Sequence, residues 1–96
     1  MTGISRTSDG LDTRRRRVLY RAWHRGTREL DLLVGRFAEA EIETLTPAEL
    51  DVFERLMEAP ETDLFPWITG QEPIPAAYDT QVLRRLVTFA HSNPLL

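Results

Sequence analysis

The residues whose types and spacing could do chemistry lie in one stretch, "WHRGTRELD", from Trp23 to Asp31. Arg25 and Arg28 flank Gly26 and Thr27, and the acids Glu29 and Asp31 follow at once. A guanidinium is a planar fork of donors that matches a carboxylate bidentately, so two arginines at one bend suit the capture of acidic groups on another protein. The glycine between them adds backbone freedom to turn, and it has no side chain to hold off an approaching backbone. Glu29 at a helix N-terminus meets the helix dipole favourably, whereas Arg28 does not and needs another partner. An exposed pair with Glu29 or Asp31 supplies less than about 1 kcal/mol of that. The stretch reads as a docking patch rather than a reaction centre. Arg25, Gly26, Arg28 and Glu29 form its contact, and Arg21, His24 and Asp31 its flank.

Nothing in the sequence points to catalysis. It holds no glycine-rich phosphate loop, HExxH or GxSxG. The absence of cysteine removes disulfides, thiolate metal sites and a cysteine nucleophile. The two histidines, His24 and His91, are too few for a histidine metal cluster. Glu39, Glu41 and Glu43 read as a solvated helix end, Trp67 as core, and His91 as a side chain suited to a helix C-terminus. The apolar runs are far shorter than the ~20 residues that cross a bilayer, so no membrane insertion is expected.

The net charge of −3 conceals an uneven distribution. Residues 1–28 carry eight arginines against two acids, and residues 29–96 carry four against thirteen. A basic front can meet nucleic acid, and a small arginine-rich nucleic-acid-binding helical module is the alternative reading. The run Arg14 to Arg17 argues against it, because four successive arginines on a helix spread over ~300° and form no single stripe. The acidic remainder would also repel a long polyanion.

The elements that must position the patch follow from helical periodicity. Residues 1–12 lack periodic apolar positions and are expected as a flexible tail. Val18, Leu19, Ala22 and Trp23 form the stripe of a first helix from Thr13, stopped by Gly26. Thr27 caps a second helix with Leu30, Leu33, Val34 and Phe37 on one face, running to about Glu43. "LTPAEL" opens a third, with Thr46 as cap, Pro47 at the first position and Glu49 completing a capping box; Leu50, Phe53, Leu56 and Met57 face inward and Pro60 ends it. Asp63 is expected to cap a fourth, with Pro66 in its first turn and Gly70 closing it. A fifth runs from about Ala77, carrying Val82, Leu83, Leu86, Val87, Phe89 and Ala90 inward, and residues 93–96 trail off. The expected fold is all-α: one compact five-helix bundle over residues 13–92.

At Arg25-Gly26-Thr27-Arg28-Glu29 the sequence resembles the FAD assembly factor family, the SdhE-like succinate dehydrogenase assembly factors, whose signature is R-G-x-R-E. "RELD" leading into a leucine-rich helix, "LTPAEL" at the third helix and "DLFPW" at the fourth recur in the family's order, and the likeness covers about residues 14–90. The resemblance implies a five-helix bundle that is not an enzyme. It implies a chaperone that binds the flavoprotein subunit of succinate dehydrogenase, or of fumarate reductase, through the R-G-x-R-E surface. Such a factor promotes autocatalytic covalent attachment of FAD to that subunit. FAD is then the client's cofactor and is not held firmly by this chain. A monomer is expected, in the cytoplasm, or in the mitochondrial matrix of a eukaryote.

Overall fold

A computed structural model describes residues 10–92 of the chain. Among them are five α-helices and no strand: α1 (Thr13–Ala22), α2 (Arg28–Glu41), α3 (Pro47–Leu56), α4 (Glu61–Thr69) and α5 (Gln81–Ser92), with one 3₁₀ turn at Ala76–Tyr78. The all-α class and the helix count are those expected. The tails expected over residues 1–9 and 93–96 lie outside the described residues. The expected first tail also included residues 10–12, but Leu11 is buried and Asp12 caps α1, accepting the backbone N–H of Arg15 at 2.7 Å.

Packing divides the chain into two units, Met1–Leu45 and Thr46–Leu96. In the first, α1 lies against α2. The stripe Val18, Leu19 and Ala22 is buried on α1, as are Leu30, Leu33, Val34, Phe37 and Ala38 on α2. Their i, i+3, i+4 spacing puts each set on one face of its helix. Near the start of α1, Arg15 reaches the end of α2: its Nε donates to the Ile42 carbonyl at 2.9 Å and its Nη2 to the Leu45 carbonyl at 2.5 Å. The two helices therefore run antiparallel. Helix α2 stops at Glu41 with Ile42 as C-cap, two residues short of the expected Glu43.

In the second unit, α5 packs on α3 and α4. The capping box at Thr46 and Glu49 forms as expected, with both reciprocal bonds present, at 3.1 and 2.9 Å. Helix α4 departs from expectation. It starts at Glu61 with Pro60 as N-cap and no side-chain cap, so Asp63 lies in the first turn and Pro66 inside the helix. Pro60 thus begins α4 instead of ending α3, which has already ended at Leu56. The fixed φ of a proline suits a helix entrance, and that entrance precedes the one Asp63 would have made. Gly70 closes α4 in the left-handed conformation, at φ 84°. The interior takes Leu50, Phe53, Leu56, Leu64, Trp67, Ile68, Val82, Leu83, Leu86 and Ala90. Val87 and Phe89, expected inward, are only half-buried at the edges of the α5 stripe.

Candidate functional site

The corner between α1 and α2 occupies residues 23–27. Helix α1 ends at Ala22 with Trp23 as C-cap, the Trp23 N–H reaching the carbonyls of Leu19 and Tyr20 at 3.3 and 3.2 Å. Gly26 is therefore not the residue that stops α1, as the sequence suggested. It lies four residues beyond the helix, at φ 109°, in the region that only glycine enters at little cost. Thr27 then caps α2: its Oγ1 accepts the Leu30 N–H at 3.3 Å and its carbonyl the Asp31 N–H at 2.9 Å.

Gly26, Arg28 and Glu29 are exposed, and Arg25 is half-buried. Arg28 and Glu29 stand side by side in the first turn of α2, where backbone N–H groups and the positive dipole end favour Glu29. Among the described residues no hydrogen bond or ion pair ties their side chains down. The flank behaves differently. Asp31, expected as a surface acid that could pair with Arg28, turns inward to the corner. Its Oδ1 accepts the backbone N–H of Arg25 at 2.5 Å, and the residue is half-buried. Arg21 is half-buried in the last turn of α1, where its charge suits the carbonyl end of the helix.

His24 is exposed and stacks on Tyr20, with ring centroids 3.9 Å apart and planes 17° from parallel. Its Nδ1 lies 2.6 Å from the Tyr20 carbonyl. A carbonyl only accepts, so Nδ1 carries the proton of this bond. Tyr20 itself is 60% exposed, a large aromatic left on the surface beside the corner. Sequence reading passed over it, although its i, i+4 spacing to His24 was a usable signal. It also passed over Gly35, buried in the middle of α2. A Cβ built there would lie within 2.7 Å of Cδ2, Cε2 and Cε3 of Trp23. Ordinary carbon contacts are ~3.5–4.0 Å, so the indole occupies the space that any side chain at position 35 would need.

The arginine run is used inside the chain. Besides the two carbonyls, Arg15 binds the Asp12 carboxylate at 2.7 Å, and Arg16 Nε donates to the Leu11 carbonyl at 3.0 Å. Arg16 and Arg17 remain exposed. Among the described residues no group of acids and histidines could hold a metal ion, and no helix is long and apolar enough to cross a membrane.

Residues 16–90 match the family Sdh5, described as flavinator of succinate dehydrogenase. The chain is 46% identical over 79 residues to the FAD assembly factor SdhE of Acetobacter pasteurianus, covering 82% of this chain and 72% of that protein. It is 44% identical over 73 residues to the mitochondrial succinate dehydrogenase assembly factor 2 of Mycosarcoma maydis, covering 76% of this chain and 31% of the relative. For the protein of the same name from Dictyostelium discoideum the figures are 33% over 85 residues, 88% and 60%. The chain thus spans less than two thirds of these mitochondrial relatives.

Proposed function

Because the chain belongs to the Sdh5 family, the flavinators of succinate dehydrogenase, we propose that it is an assembly factor for that enzyme. It binds the flavoprotein subunit and promotes covalent attachment of FAD to a histidine there. The observation that carries this reading is the corner itself: Gly26 at φ 109° followed by exposed Arg28 and Glu29 at the head of α2. An exposed arginine and an exposed carboxylate side by side suit a partner surface that offers both an acid and a donor. Arg25 and Gly26 complete the contact, and the Tyr20–His24 stack extends it along α1.

The bond-forming chemistry is the client's, and FAD enters as cargo of the client, not as a group resident on this chain. The helper acts by binding one conformation of the client more tightly than others, which raises the population in which histidine and flavin are brought together. It works as a monomer in the compartment of its client, the bacterial cytoplasm or the mitochondrial matrix, and the related subunit of fumarate reductase is a second client.

The test is to co-express the flavoprotein subunit with and without this chain and to read flavin fluorescence in the denatured subunit. Protein-bound flavin should rise with the chain present. Replacing Gly26 by a bulky residue should abolish that rise while the helical circular dichroism persists. Equal covalent flavin with and without the chain would reject the proposal. No feature of the site favours the nucleic-acid alternative, since Arg15 and Arg16 are engaged with the chain's own carbonyls.

A further inference from the structure

We infer that Gly35 is a positioning residue: by admitting the Trp23 ring against α2 it fixes, together with Asp31, the corner that presents Arg28 and Glu29. The inference rests on the docking role proposed above and adds how that surface is held in shape.

The link from Trp23 to Gly26 is fastened to α2 at two points. Asp31 takes the backbone N–H of Arg25, and Gly35 receives the indole of Trp23. These two residues are one helical turn apart, so they lie on the same face of α2. The two fastened residues, Trp23 and Arg25, stand at alternate positions of the link. A short segment held at both points has little freedom to swing, and Gly26 between the second point and the Thr27 cap sets the direction in which the chain enters α2.

The Trp23 point is demanding. The residue is only 2% exposed, so its ring is enclosed by neighbours and moves only if the link that carries it moves too. Its Nε1–H is buried with no hydrogen-bond partner among the described residues. Shape rather than polarity therefore keeps the indole in place, and the shape is the missing side chain of Gly35. A glycine in mid-helix is unfavourable by propensity alone, so its presence in α2 calls for a packing reason, and the ring supplies one. A methyl at position 35 would push Trp23 outward and carry Arg25 and Gly26 with it, while leaving the exposed side chains of Arg28 and Glu29 chemically intact.

The experiment compares Gly35→Ala, Trp23→Leu and the double variant with the parent chain. Each is studied below the onset of its own melting transition, with circular dichroism confirming helicity. Two readouts are taken: amide exchange and chemical shifts of residues 24–29 in the free protein, and affinity for the purified flavoprotein subunit by calorimetry. Each single variant should speed exchange at the Arg25 N–H about tenfold and weaken client binding about tenfold. The double variant, with a smaller side chain over the new methyl, should recover part of both losses. A merely structural role would lower the melting temperature and leave client affinity within about twofold, and that result overturns the inference. So does unchanged exchange and shift at residues 24–29 in Gly35→Ala. If the parent chain does not bind the subunit while exchange responds as expected, the docking reading fails and the corner's fastening stands. Should Gly35→Ala not fold, Trp23→Leu alone decides, with the same two readouts.

Discussion

Arg15 on α1 donates through Nε to the main-chain oxygen of Ile42, the C-cap of α2, at 2.9 Å, and through Nη2 to that of Leu45 at 2.5 Å. The last carbonyls of a helix have no partner within it, and a cation there also meets the negative end of the dipole. One arginine of a run of four therefore closes a helix 27 residues further along the chain.

Arg15→Ala should lower unfolding stability by about 1.5 kcal/mol, near the lower end for hydrogen bonds to a charged group because the side chain is partly exposed. Arg17→Ala, at an exposed position on the same helix, should stay within about 0.5 kcal/mol of the parent. Urea unfolding of the two variants side by side measures the difference. Equal effects would show that the run acts by charge alone.

Gly26→Ala should cost roughly 1–3 kcal/mol, because φ 109° lies where a Cβ is strained. Thermal unfolding reads this loss, and the helical content of the folded state should not change. Gly35→Ala should also destabilise, by about 1–3 kcal/mol as for other overpacked interiors, with Trp23→Leu in the same chain reducing the loss.

Thr46→Ala removes the cap of α3 and should cost about 1 kcal/mol, whereas Thr46→Asp should keep most of it. Denaturant titration of both distinguishes the lost bond from a general effect of substitution at the head of that helix.

The pH dependence should have a contribution from Asp12. The Arg15 backbone N–H bonded to its carboxylate lowers the Asp12 pKa below 3.8, helped by the Arg15 guanidinium and the charge of Arg14 and opposed by desolvation. A group whose folded pKa is depressed stabilises above its unfolded pKa, and that contribution is lost as pH falls through the folded value. Melting temperatures taken from pH 6 to about pH 2 should fall at the acid end, and Asp12→Asn should flatten the fall. An acid limb unchanged in Asp12→Asn would remove Asp12 from the account.

Local signals read well where local physics decides. Thr27 and Thr46 were identifiable as caps from their place before apolar periodicity, and Gly70 as the close of α4, because capping joins residues a few positions apart. The α4 entrance was misread because proline both breaks one helix and starts another, and the residues alone did not say which helix Pro60 served. At the corner, the exposed Arg28–Glu29 pair was legible from the charge pattern. Asp31 was not, since its acceptor role is directed at a backbone N–H six residues back. Gly35 went unread because the reason for it is the ring of Trp23, and the run Arg14 to Arg17 was weighed only against a nucleic-acid stripe because the carbonyl partners of Arg15 lie 27 and 30 residues away. Both depend on neighbours that no periodicity announces.

The seating of Trp23 on Gly35 has a consequence for descent as well as for shape. The two positions share one fixed volume, so a lineage that acquires bulk at the second must shed it at the first, and the order of the changes matters. Trimming the ring first passes through a loosened intermediate that still closes, whereas adding the methyl first passes through one that is jammed.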